Sequence, residues 1–523
     1  MHVPSRPASR ALSAPPLVAA GLGLLAAALL PACYSEHTLI VGSGDQLTCW
    51  GDPAVSNTIE ECVIFARADA GKDPGDGTKA SPFTSLQAAI EAAAAHTKRV
   101  YACGTAPFKE SVHVGAPVEV WGGFDCDKWL YTETARAHID GPPDLPALTI
   151  GPDGAGALIV GFAIKAPPSE LPGGSSIGVV VDKVDAQTFL WRCDISTSDG
   201  NDGVDGDPVT DPAKAGTDAA YAGLSGAPTP ACTAAAQVEG GDPGTLGCED
   251  GTTVGGKGGF GGTAPNADGQ DGTEGAPMPA DNPMLYGKGG AGESENDVCA
   301  PGAPGAPGAE GLPGYGAETA GALTLQGISA VNGKPGQRGA RGQGGGGGGG
   351  ARAGQFCMSG GNTVIGPGAS GGGGGAGGCG GKGGNGGTAG GSSIGVLSMG
   401  GKLVLNLGSI TVGRGGKGGN GSAGQPGGPG GKGADGGAAS GLPLSEMGCT
   451  GGDGGAGGPG GSGGGGRGGH SVGVAYNSGN PITNYVTTIL GQPGKGGFGG
   501  LGNEDLGKGK DGVSEETHQF AGF

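Results

Sequence analysis

The residues of this 523-residue chain whose types and spacing could do chemistry are five aspartates in "SDGNDGVDGDPVTD": Asp199, Asp202, Asp205, Asp207 and Asp211. Carboxylates gathered in this way bind Ca²⁺ when they converge on one point. The spacing departs from an EF-hand loop, because the fifth position counted from Asp199 is Gly203, and no calcium-binding nonapeptide recurs. Asp199, Asp202, Asp205 and Asp207 are thus at most a calcium candidate, and a solvated turn is the plainer reading. The seven histidines are dispersed. "HExxH" does not occur, no "GxSxG" stands out among the glycines, and the glycine run Gly344–Gly350 lacks the Lys-Ser/Thr that completes a phosphate loop. No catalytic residue, no metal centre and no cofactor is expected. Of twelve cysteines, Cys49 with Cys62, Cys103 with Cys126, and Cys232 with Cys248 are sequence-near candidate disulfides, although spacing alone does not give connectivity. Cys299, Cys357, Cys379 and Cys449 lie among glycines and are expected to staple loops rather than bind metal.

The amino terminus supplies the context those cysteines need. Arg6 and Arg10 precede an apolar run from Leu17 to Leu30 that is short for a bilayer span and ends in small residues. Residues 1–32 therefore read as a secretory signal peptide. The closing "LPAC" resembles the lipobox of bacterial lipoproteins through Leu30, Ala32 and Cys33. That resemblance implies acylation of Cys33 and a membrane anchor, and Tyr34 in place of an aspartate points to the outer membrane or cell surface. Export permits disulfides. With Cys33 acylated, eleven cysteines remain, so one thiol is left over. Residues 33–68 are expected to be a lipid-anchored, cysteine-containing linker.

Formal net charge is −19, and it is −21 without Arg6 and Arg10, which excludes the basic face that nucleic-acid binding needs. Glycine is unevenly spread: 18 fall in residues 34–196 and 110 in residues 197–523. All four tryptophans precede residue 192. The first part can bury an ordinary core; the second must be ordered by something other than bulky side chains, or not at all.

Residues 69–206 carry Thr84 and Gln87 at capping-box spacing, then an amphipathic helix to about Ala95. Short Val/Ile-rich runs follow, among them "RVYACG", "VEVWGG", "ALIVGFAIKA" and "SIGVVV". The segment "DGT…SPF.SLQAAIEAA…VYACGT…ESV.V…VEVWGGFD…W" resembles the opening of pectate-lyase-like right-handed parallel β-helix proteins. The resemblance implies a mostly β solenoid whose first rung is covered by the helix; many members of that class scaffold rather than catalyse.

Beyond it, "SSIGVVV" at 175, "SSIGVLS" at 392 and "HSVGVAY" at 470 each open a repeat that leaves into glycines. Residues 207–391 are expected to be glycine/proline-rich excursions with one rung near 321–331. Residues 392–523 are expected to alternate rungs with glycine tracts, the excursions all on one side of the stack. Glycine recurs every third residue from Gly415 to Gly436, Gly302 to Gly314, Gly333 to Gly342, Gly372 to Gly390 and Gly451 to Gly469. Three readings stand: polyglycine II-like bundles bonded laterally through the backbone, disordered loops, and a collagen trimer. The short, interrupted, proline-poor tracts argue against collagen. The "GG-x-GG-x" text at about 250–510 resembles PGRS glycine-rich surface proteins. Lys98, Arg99 and the lysines of "GGKGG" are expected to keep the tracts soluble.

Together these features predict an exported, lipid-anchored cell-surface structural or adhesion protein without catalytic activity, facing extracellular polysaccharide or matrix. The rival is a divergent carbohydrate-active β-helix, a lyase or hydrolase on acidic polysaccharide. A groove with convergent Asp, Arg or Lys side chains would favour the rival.

Overall fold

Three parallel sheets take up most of the strands in the computed structural model, which describes residues 49–54, 60–71, 74–104, 106–233, 238–265, 267–501 and 507–521. The expected signal peptide and Cys33 lie outside the described residues. The first sheet runs Val63–Arg67, Arg99–Cys103, Glu119–Phe124, Leu158–Val160, Val184–Trp191, Gly401–Asn406 and Ile482–Asn484. The second runs Ala137–Asp140, Phe162–Ala166, Asp194–Thr197, Ser409–Thr411 and Thr487–Ile489. The third runs Val112–Val114, Leu148–Ile150, Ser176–Val181, Ser393–Ser398, Ser471–Tyr476 and Ser514–Gln519. Spatial order within each sheet follows chain order, and the chain visits the sheets in turn.

The three "S-I/V-G-V" openings pair in register, Ser176 with Ser393 and Ser393 with Ser471. Their shared glycine has a close-packing cause. A Cβ on Gly178 would strike Gly395 O and Ile195 Cγ2, and one on Gly395 would strike Ile410 Cγ2. Inward residues such as Ile150, Ile159, Ile164, Val179, Leu190, Ile195, Val396 and Leu403 form one continuous core. The helix Leu86–His96 closes the first end of that core with Leu86, Ala89, Ile90 and Ala93. Each large aliphatic side chain buried there contributes about 1.5–3 kcal/mol.

Several sequence expectations shift in detail. The helix cap is Ser85, whose Oγ accepts from Ala88 N, and not Thr84; Gln87 instead accepts from His113 N. The Ser85 hydroxyl and Leu86 N–H both donate to Glu110, so the cap is completed across chain segments. Val63–Arg67, inside the expected linker 33–68, pairs with Arg99–Cys103 and belongs to the first sheet. Its VIFA run is buried, which makes it a strand rather than a tether. The expected rung near 321–331 is a two-stranded antiparallel hairpin, Leu323–Thr324 with Gly327–Ile328. It covers the outer face of the third sheet, where Leu323 packs with Ile177, Val180, Ile394, Leu397 and Phe520. Arg99 is buried and does no solubilising: its guanidinium pairs with Glu119 at 2.5 Å and lies between the rings of Trp50 and Trp121.

Each glycine excursion leaves after a second-sheet strand and returns at a third-sheet strand, so all project from one corner. The tracts lie side by side, joined by backbone hydrogen bonds on a three-residue period. The 413–437 tract donates to 367–391 in antiparallel register, from Gly416 N to Gly391 O through Gly428 N to Cys379 O to Gly437 N to Ser370 O. The 448–470 tract donates back to 413–437, and the 367–391 tract donates in parallel to 448–470. With three residues per turn, every third N–H faces the same neighbour.

The run Gly344–Gly350 is the most enclosed. Its N–H groups reach Ala276, Gly375, Ala303, Thr273, Gly372, Ala300 and Gln270, while its carbonyls accept from Gly256, Gly290 and Gly452 among others. Six segments surround it, so a side chain has no direction in which to point. Net hydrogen-bond gains of about 1 kcal/mol each roughly offset the 1–2 kcal/mol per residue of backbone ordering. The lattice therefore needs staples.

Candidate functional site

Those staples are disulfides. Cys49 bonds Cys62 and Cys103 bonds Cys126 at the three-sheet body. In the lattice, Cys232 bonds Cys357, Cys248 bonds Cys379, and Cys299 bonds Cys449. The expected Cys232–Cys248 pairing is thus corrected. Both residues bond cysteines more than a hundred residues away, because the lattice, not the sequence, sets which tracts are neighbours. The unpaired thiol among the described residues is Cys193, buried in the core, where burial pushes its pKa up to about 11. That thiol is unreactive near neutral pH.

The aspartate series is corrected as well. Asp199, Asp202 and Asp205 accept from the backbone N–H of Arg414, Lys417 and Asn420, at 2.7, 2.7 and 2.6 Å. Asp218 does the same for Lys432 at 2.7 Å. Three-residue spacing sets these carboxylates one turn apart, roughly 9 Å, so they cannot converge on one ion. Among the described residues no group of three or more His, Cys, Asp or Glu side chains could hold a metal. Asp207 lies outside the ladder, its carbonyl accepting from Asn385 Nδ2. The Arg414 N–H and guanidinium hold the Asp199 carboxyl below the usual carboxylate range.

This ladder shows what the lattice surface is built to do. The outward stripe of the 413–437 tract is Arg414, Lys417, Asn420, Ala423, Pro426, Pro429, Lys432 and Asp435, all exposed. Its N–H groups are covered by aspartates at four positions, and proline removes them at two. The 300–317 tract turns Pro301, Pro304, Pro307 and Pro313 outward in the same way. Bare N–H rows invite another backbone, as at sheet edges. Here aspartate and proline close them.

Two depressions carry charge. One, of about 320 Å³, lies on the second-sheet side and is lined by Lys109, Asp140, Gly141, Pro142, Lys165 and Pro167. Asp140 and Lys165 are cross-strand partners. The other, of about 230 Å³, lies within the lattice, between the 207–214 segment and the 367–391 tract. There the 199–219 tract slips: Gly206 N donates to Asn420 O but Gly216 N to Pro429 O, so ten residues face nine. The 367–391 tract donates to this neighbour at Gly391, Thr388, Cys379 and Ala376. Between them, Lys382 N and Asn385 N turn instead to Gln425 Oε1 and Ser422 Oγ, both at 2.8 Å. Sequence reasoning missed both depressions. The second had a legible signal, since glycine falls at 200, 203 and 206 and then returns out of phase at 216.

No family model matches the chain, and no curated protein or solved structure is similar to it.

Proposed function

We propose that this chain is an exported, lipid-anchored surface protein with a structural or adhesive role and no catalytic activity. In this reading the three-sheet body is a right-handed parallel β-helix acting as a stalk, and the glycine tracts are a polyglycine II-like arm. The observation that supports it is the closed lattice surface: carboxylates and prolines cap outward backbone rows, leaving a stiff, polar, water-facing body. The paired length from Gly416 to Gly437 is roughly 65 Å at 3.1 Å per residue. Such an arm holds a contact surface away from a membrane and faces extracellular polysaccharide or matrix. No helix among the described residues is long and apolar enough to cross a membrane; the anchor in this reading is the acylated Cys33.

Cells displaying the full chain are expected to retain acidic polysaccharide, and Cys33→Ala is expected to release the protein from the membrane fraction. Cells that bind no more polysaccharide than cells lacking the chain would sink the adhesive reading. The groove of Lys109, Asp140 and Lys165 is the one observation favouring a carbohydrate-active enzyme. Release of unsaturated or reducing oligosaccharides from uronate polymers with added Ca²⁺ would select that alternative.

A further inference from the structure

We propose that the cleft where the 199–219 tract slips out of register is a binding site for a single uronic-acid residue. The inference rests on the adhesive reading for the source of its ligand, a carboxylated sugar of an extracellular polysaccharide, and on the cleft itself for its chemistry.

The cleft is a gap in an otherwise filled lattice. Over ten residues the 199–219 tract bulges away, and side chains of the 413–437 tract take over the hydrogen bonds it would have made. What faces the gap is charged and incompletely paired. Arg338 donates to Gly380 O and to Glu249 Oε2, so that guanidinium is committed. Lys214, Lys382 and Asp211 line the space and form no ion pair among those found in the described residues. Two lysines against one aspartate leave a local positive excess in a chain of net charge −19. Gln425 is buried and its oxygen is occupied by Lys382 N–H, so its amide nitrogen is left to donate.

This set matches a carboxylate and hydroxyls on one ring. The lysines and the Gln425 amide donate to the carboxylate, and Asp211 accepts from sugar hydroxyls. The same Asp211 repels inorganic phosphate, charged on every side, more than a sugar that turns neutral hydroxyls to it and its single carboxylate to the lysines. Pro212 and the Cys248–Cys379 bridge supply apolar surface for the ring's C–H face. At about 230 Å³ the space lies below the ~300–1,000 Å³ of drug-sized sites, so it takes one ring of a chain rather than several.

The test is titration of the purified full-length chain with galacturonate, glucose and inorganic phosphate, read by calorimetry and by the Gln425 side-chain amide resonance. Galacturonate is expected to bind at least about tenfold tighter than glucose or phosphate and to shift that resonance, since each charge-assisted bond is worth about a factor of ten. Lys214→Gln and Lys382→Gln should each weaken galacturonate about tenfold, and Asp211→Asn should narrow its preference over phosphate. Unchanged affinity in both lysine variants, phosphate binding as tight as galacturonate, or an unmoved Gln425 resonance in the unmodified chain would overturn the site. Should a variant fail to fold, that resonance in the unmodified chain decides. Cells that still adhere when both lysines are replaced would sink this site and leave the adhesive reading standing; galacturonate held in the cleft by a chain that does not adhere would do the reverse.

Discussion

The three-sheet body and the glycine lattice both saturate their backbones laterally, but they fill space in opposite ways. In the body, strands bond along each sheet while Ile164, Val179, Leu190 and their neighbours pack the interior. In the lattice, backbones bond in several directions at once and leave little interior for side chains, apart from a small cluster around Phe356 and single buried groups such as Gln425. The glycine count per turn therefore reports how many faces are covered. Residues 344–350 are glycine on all three faces and are wholly buried. Residues 451–461 are glycine on two, with Asp453, Ala456 and Pro459 exposed on the third. That third face turns to glycine at Gly465, where its N–H reaches Gly507 O of an arriving tract.

The largest way to separate the two regions is to remove a lattice staple. Replacing Cys248 and Cys379 by serine opens a loop of 131 residues and is expected to cost about 5 kcal/mol. Amide exchange should accelerate across 367–391 and 413–437 while the body strands stay protected. Equal acceleration in both regions would refute their independence. Next in size, Gly348→Ala places a Cβ within 3.0 Å of Cys449 O and Thr450 O. It is expected to cost about 3 kcal/mol by denaturant titration, against about 1 kcal/mol for Ile164→Val in the body core.

A third test concerns the seam between the regions. His470 Nδ1 accepts from Val513 N, and its other nitrogen meets Ala320 O. Burial, with Arg467 and then His518 nearby, lowers its pKa to about 4. The unfolded chain, near 6.5, binds the extra proton first. Stability is thus intact above pH 6.5, falls as pH drops, and is lower by about 3 kcal/mol at pH 4. His470→Gln should flatten that slope in thermal melts between pH 7 and 4; an unchanged slope would remove His470 from the seam. The smallest effects distinguish ladder from surface. Asp202→Ala uncovers the Lys417 N–H and is expected to cost about 1 kcal/mol, whereas Lys417→Ala, on the exposed stripe, should stay within about 0.5 kcal/mol.

What could be read from the chain follows the range of each interaction. The "S-I/V-G-V" repeats and the three-residue glycine period are local, and both map directly onto observed register. The helix was legible to within a residue at its cap, because Ser85 draws on Glu110, which lies outside the local pattern. The roles of Asp199, Asp202 and Asp205 were not legible, since each partner lies 215 residues away. The same distance hid the partners of Cys232 and Cys248. The Lys214–Lys382 cleft left only an indirect trace, the phase slip before Gly216.

Antiparallel pairing of the 413–437 and 367–391 tracts has a consequence for how such a molecule changes size. One Gly-x-x unit added at matching heights of neighbouring tracts preserves every donor's partner and moves the distal turns outward by roughly 9 Å. An insertion of one or two residues instead rotates each donor away from its acceptor, as the slip near Asp211 already does on a small scale. Reach is consequently a ruler graduated in triplets, adjustable by copying three codons at a time without redesigning any contact.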